Sequence, residues 1–137
     1  MNIISKNISV DLNTPYQVTP DQLSFFRKNG FIKIKNVLDA GVISAIEQVI
    51  SAEVNRLNKQ HLSIEDRDTY GKAFLQVMNI WRNAEAVREI VFSKRLAGIA
   101  AQLLEVSGVR LYHDQALYKE PGGGHTPWHA DQYYWPL

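Results

Sequence analysis

The chain contains no cysteine, which excludes disulfides, thiolate nucleophiles and Cys-ligated zinc or iron–sulfur centres. Any metal it binds is held by nitrogen and oxygen. No apolar run approaches the roughly 20 residues that cross a bilayer, and the first residues lack the basic-then-apolar order of a secretory signal. A membrane is therefore not an expected partner, and the cytoplasm is the default location. Charge of neither sign dominates: 15 Lys and Arg against 14 Asp and Glu give +1 at pH 7. There is no electrostatic footprint for nucleic acid or an anionic surface. Repeats, linkers and low-complexity tracts are also missing, which leaves one domain over residues 1–137. What is present, 45% hydrophobic and 21% charged residues, supplies enough apolar material for a core.

Local patterns set out the elements. Residues 1–18 are polar and unpatterned, a loose arm or a short edge strand. Thr19 with Gln22 reads as a capping box, Pro20 suits the first helical position and Gly30 the stop, so a helix covers 20–29. The run FIKIKNVL at 31–38 alternates apolar and basic residues and reads as a half-buried strand. Asp39 caps a longer helix to about residue 59, along which Val42, Ile46, Val49, Ile50, Val54 and Leu57 form one apolar stripe, read as core packing. Residues 60–71 read as a loop or lid and 72–81 as a strand. Asn83 and Ser93 are expected to cap helices over 84–92 and 94–106, the second ended by Gly108. A long strand over 109–119 leads through the Pro-Gly-Gly-Gly turn at 121–124 into a last strand beginning near Thr126. Helices come first and strands accumulate towards the C-terminus, an α+β order with helices backing one face of a sheet.

The chemistry concentrates in the last stretch. His129 and Asp131 are one residue apart, and on an extended strand such residues point to one face. An imidazole and a carboxylate so placed are two thirds of the two-His-one-carboxylate triad that holds non-haem Fe(II). A variant with His125 as the missing nitrogen donor around zinc requires the strand to run through Thr126 and Pro127, against the glycine turn.

The stretch QALYKEPGGGHTPWHADQYYWPL at 115–137, with DQLSFFRKNGFIKIKNVL at 21–38 and AFLQVMNIW at 73–81, resembles the N-terminal half of a phytanoyl-CoA dioxygenase-like protein of the Fe(II)/2-oxoglutarate oxygenase superfamily. The Pro-Trp-His-x-Asp-x-x-Tyr-Trp run is its most specific part. The resemblance implies N-terminal helices packed on a double-stranded β-helix (jelly-roll, cupin-like) core, here truncated. It also implies Fe(II) held by His129, Asp131 and a further histidine, with 2-oxoglutarate as co-substrate paired to an arginine, those last two residues lying beyond this sequence. The implied activity is hydroxylation of a C–H bond in a small-molecule substrate, with no turnover expected of the 137 residues alone.

Matched to the family's strand, Gln115 falls where a 2-oxoglutarate contact is expected. Gln76 and Asn79, polar residues in an apolar strand, are candidate donors to co-substrate or substrate. Trp81, His113, Gln132 and Trp135 are candidate pocket residues, and His113, Gln115 and Lys119 share a face by period-two counting. Plainer readings stand beside these. Gln115, Gln76 and Asn79 also suit the satisfaction of buried backbone groups, His125 a solvent-exposed turn, and Lys119, Glu120, Glu65, Asp66, Arg67 and Asp68 a solvated surface. His61 carries no signal. A rival to the oxygenase is a catalytically incomplete remnant acting as a binding or assembly module, and the open sheet edge invites self-association.

Overall fold

The computed structural model describes residues 12–133 and 135; the expected arm over 1–11 lies outside them. In chain order come α1 (Pro20–Asn29), α2 (Ala40–Leu57), α3 (Thr69–Ala73), β1 (Leu75–Met78), α4 (Glu85–Val91), α5 (Lys94–Leu104) and β2 (Gln115–Tyr118). Single 3-10 turns occupy Ile64–Asp66, Ile80–Arg82 and Asp131–Tyr133.

The helices start where local chemistry starts them. At α1 the Thr19 hydroxyl accepts from the Gln22 N–H while the Gln22 side chain accepts from the Thr19 N–H, so two orphan donors are satisfied reciprocally. Gly30, at φ 76, closes the helix. Asp39 caps α2 by accepting from the Gly41 N–H at 2.7 Å, and the stripe then buries Val42, Ile46 and Val54. Ser93 caps α5 by accepting from the Leu96 N–H, and its hydroxyl donates to the Leu12 carbonyl at 2.7 Å. That second bond draws Leu12 into a cluster with Val42 and Ile46. Gln102 bonds to Tyr16 and Val18 in the same way. Residues 12–18 are thus neither a loose arm nor an edge strand, because side chains more than 80 positions away hold them.

Strands β1 and β2 pair antiparallel, Leu75 opposite Tyr118 and Met78 opposite Gln115. Leu75, Val77, Ala116 and Tyr118 belong to the cluster around Val54, Ile80 and Val87, which is the contribution of α2 and α4. Alternation sends Gln76, Met78, Gln115 and Leu117 to the opposite face, where Met78 and Leu117 stand exposed. Helices on one face of a sheet are therefore observed, in a mixed α and β arrangement.

Several expected boundaries shift. Segment 31–38 keeps its alternation, with Ile32 and Ile34 packed on Val18, Ile99 and Leu103. It pairs with no strand among the described residues, and Asn36 at φ 57 ends its extended course. The expected strand over 72–81 loses its start to α3, capped by Asp68, and its end to Asn79, at φ 56. Four residues of β1 give partners to only four of the expected 109–119 strand. Asn83 is not a cap: Ala84 takes that position without a side-chain bond. Helix α5 stops before Gly108, at Glu105, which is left-handed with φ 54 and pairs with Arg27.

Candidate functional site

The glycine turn positions everything that follows it. Gly122 has φ 76, Gly123 donates to the Glu120 carbonyl at 3.0 Å and Gly124 to that of Lys72 at 2.8 Å. A Cβ on Gly123 would lie 2.8 Å from the Lys72 carbonyl oxygen, so the close approach needs glycine. Arg67, whose side chain is only 9% exposed, pairs with Glu120, and Lys119 donates to the Gly124 carbonyl at 2.7 Å while its ammonium sits 4.3 Å from the Phe74 ring centroid. Three residues expected to be solvated therefore clamp the turn. Pairing across 53 positions leaves no trace in local sequence.

Beyond the turn the expected last strand does not form among the described residues. Residues 124–130 run without regular structure, and Asp131–Tyr133 is a 3-10 turn. Tyr134 lies outside the described residues. His129 and Asp131 nevertheless converge, with Nε2 to Oδ1 at 3.5 Å. His129 Nδ1 is 2.9 Å from the Pro127 carbonyl oxygen. A carbonyl only accepts, so Nδ1 carries the proton there and a neutral ring turns its Nε2 lone pair towards a carboxylate. With Nδ1 as donor, Nε2 either donates to the carboxylate as part of an imidazolium or offers a lone pair to water or a cation. Both side chains are open to solvent, at 46% and 76%.

For a metal the fit is partial and specific. Two donors each about 2.1 Å from one ion stand about 3 Å apart at a right angle, so the pair needs to close by only about half an ångström. The Nδ1 bond to a carbonyl is the outer contact that metal-ligating histidines use to fix their ring. Among the described residues no group of three His, Asp or Glu forms, so His125 does not complete a zinc site with the pair.

Other predicted residues join this pair through Trp135. Its N–H donates to the Asp131 carbonyl at 2.9 Å, and its ring lies 4.8 Å from that of His113 and 5.5 Å from that of Tyr112. His113 Nε2 is 3.3 Å from Gln115 Oε1, which makes Nε2 the donor and leaves the Gln115 amide nitrogen to donate elsewhere. Among the described residues the buried Nδ1 of His113 has no hydrogen-bond partner, nor has the buried Oδ1 of the neighbouring Asp114. A continuous chain of contacts thus runs from the metal-capable pair to the sheet face that holds Gln115 and Gln76.

The remaining candidates stand apart. Asn79 lies just past β1, its Oδ1 accepting from the Trp81 indole N–H at 3.3 Å. Trp81 packs with the helix-side cluster and meets Phe92 edge to face at 5.4 Å. Gln132 is exposed. An open apolar groove of about 610 Å³, lined by Ile34, Ile43, Leu96 and Ile99 among others, includes none of the predicted site residues.

A protein-family model described as Phytanoyl-CoA dioxygenase (PhyH) matches residues 26–137. No curated protein and no solved structure matches the chain.

Proposed function

The chain belongs to the phytanoyl-CoA dioxygenase family, and on that premise we propose that it carries the N-terminal portion of an Fe(II)/2-oxoglutarate-dependent oxygenase domain acting on a small molecule. In this reading residues 1–137 are one unit, and β1 and β2 are two strands of a double-stranded β-helix whose inner face carries Gln76 and Gln115. His129 and Asp131 would supply two of the protein ligands to iron. Iron held there by His129 and Asp131 would supply, with dioxygen and 2-oxoglutarate, the oxidising power for hydroxylation of a C–H bond, with succinate and CO2 as the co-products.

One observation carries the reading: His129 Nε2 and Asp131 Oδ1 face each other at 3.5 Å while Nδ1 is committed to the Pro127 carbonyl. The chain's own residues then have definite tasks. Pro127 fixes the tautomer of His129. Trp135, bonded to the Asp131 backbone and stacked near His113, links the metal-capable turn to β2. His113 occupies the Gln115 carbonyl oxygen, which would leave the amide N–H groups to donate to a co-substrate carboxylate. Met78 and Leu117, apolar on the same face, would exclude water from it. Trp81, Asn79 and Gln132 are candidate substrate contacts further out.

Binding of 2-oxoglutarate with and without Mn(II), an oxygen-stable stand-in for Fe(II), tests this. We expect weak calorimetric binding, and only when Mn(II) is present, abolished by His129→Ala and weakened about tenfold further by Gln115→Leu, the loss of one charge-assisted hydrogen bond. Binding of 2-oxoglutarate that is indifferent to Mn(II) would rule the reading out.

A further inference from the structure

Arg27, Arg56, Arg67 and Arg95 each reach a carboxylate or a backbone carbonyl. Arg82, Arg88 and Arg110 reach neither among the described residues. Arg82 and Arg88 instead meet Trp81, their guanidinium carbons 5.4 and 5.2 Å from its ring centroid. Arg88 is also 5.2 Å from the Phe92 centroid. Because the two rings meet at 86°, its guanidinium sits in the corner between them.

A guanidinium held near a ring by its charge commits none of its N–H donors to a hydrogen bond. Both arginines and Phe92 are exposed, so those donors are available to a ligand. Glu85 and Glu89 share the neighbouring helix α4, yet neither carboxylate pairs with either guanidinium. Two positive charges held against one indole make a local positive field that an anion can meet at either guanidinium. The cluster also has a defined position. The Asn79 N–H donates to the Asp114 carbonyl and the Trp81 indole to Asn79 Oδ1. It therefore hangs, on the helix side, from the end of the sheet at which β2 begins, two positions after His113, against which Trp135 rests.

We propose that Arg82 and Arg88, braced by Trp81 and Phe92, bind an anionic group, a phosphate ester or a carboxylate, on the molecule that the oxygenase site acts on. Only the identity of that molecule as the substrate rests on the oxygenase reading; the anion site stands on the cluster itself.

Inorganic phosphate and acetate, each titrated at constant ionic strength into the 137-residue chain, test it by NMR at the Trp81 indole and arginine Nε–H signals. Saturable shifts at Trp81 and Arg88 are expected, and the probe that saturates at lower concentration identifies phosphate ester or carboxylate. Arg88→Gln should raise the apparent Kd at least about tenfold, the loss of a charge-assisted contact, and Arg88→Lys should fall between it and the wild type. Arg110→Gln should leave the titration unchanged. Non-saturating shifts with both probes, or an unchanged Kd in the Arg82→Gln, Arg88→Gln double variant, would overturn the site. Mn(II) binding is read separately: its absence would overturn the oxygenase reading and leave the anion site standing.

Discussion

Helix α2 keeps Val42, Ile46 and Val54 at 5%, 3% and 1% exposure, whereas in the run 119–135 Trp128 and Tyr133 stand at 104% and 91%. The helix is held by a stripe of apolar side chains repeated every three or four residues, each buried against several neighbours. The run is held at points: Arg67 on Glu120, Lys119 on Gly124, the Trp135 ring on His113. The metal-capable pair sits in the second kind of region. Its geometry therefore depends on a few replaceable contacts, while the stability of the molecule depends on contacts far from it.

Three substitutions sharpen this contrast, taken from the largest effect to the smallest. Ile46→Ala should cost about 2–5 kcal/mol in urea unfolding, because it leaves a cavity in a packed cluster. A loss below 1 kcal/mol would mean that α2 is not the foundation described. Arg67→Ala should cost about 1–2 kcal/mol, since the partly exposed Glu120 is left with solvent as its partner. Its clearer signature is local: limited proteolysis within 121–131 should accelerate while the helical circular dichroism is retained. Equal acceleration of cleavage within α2 would erase the distinction between the regions. Trp128→Ala should change global stability by less than about 0.5 kcal/mol, as surface positions do.

The same contrast explains what was legible in the sequence. Helix starts are local events: Thr19 needs only Gln22, Asp39 only Gly41, and Ser93 only Leu96. Each was readable from spacing. Strands need partners, and the 31–38 segment shows the difference, its burial alternation correct but its pairing absent among the described residues. Left-handed Glu105 ended a helix where propensity gave no notice, whereas Asn79, of a type that tolerates that region, ended β1 inside an apolar run. At the site, His129 and Asp131 were legible as a pair from a one-residue spacing, yet they meet through an irregular run and a 3-10 turn instead of along a strand. The docking of Trp135 on His113 and the Arg67–Glu120 clamp join distant positions, and the cluster of Arg82 and Arg88 on Trp81 became visible only with side chains in place.

The central proposal is that His129 and Asp131 form one metal-binding unit, and Mn(II) affinity measured by electron paramagnetic resonance in four versions of the chain tests it most directly. His129→Ala and Asp131→Ala should each weaken binding by more than the roughly 10–100-fold that loss of an outer-shell contact produces, whereas His125→Ala should match the wild type. Equal affinity in all four, or a loss in His125→Ala as large as in His129→Ala, would contradict it.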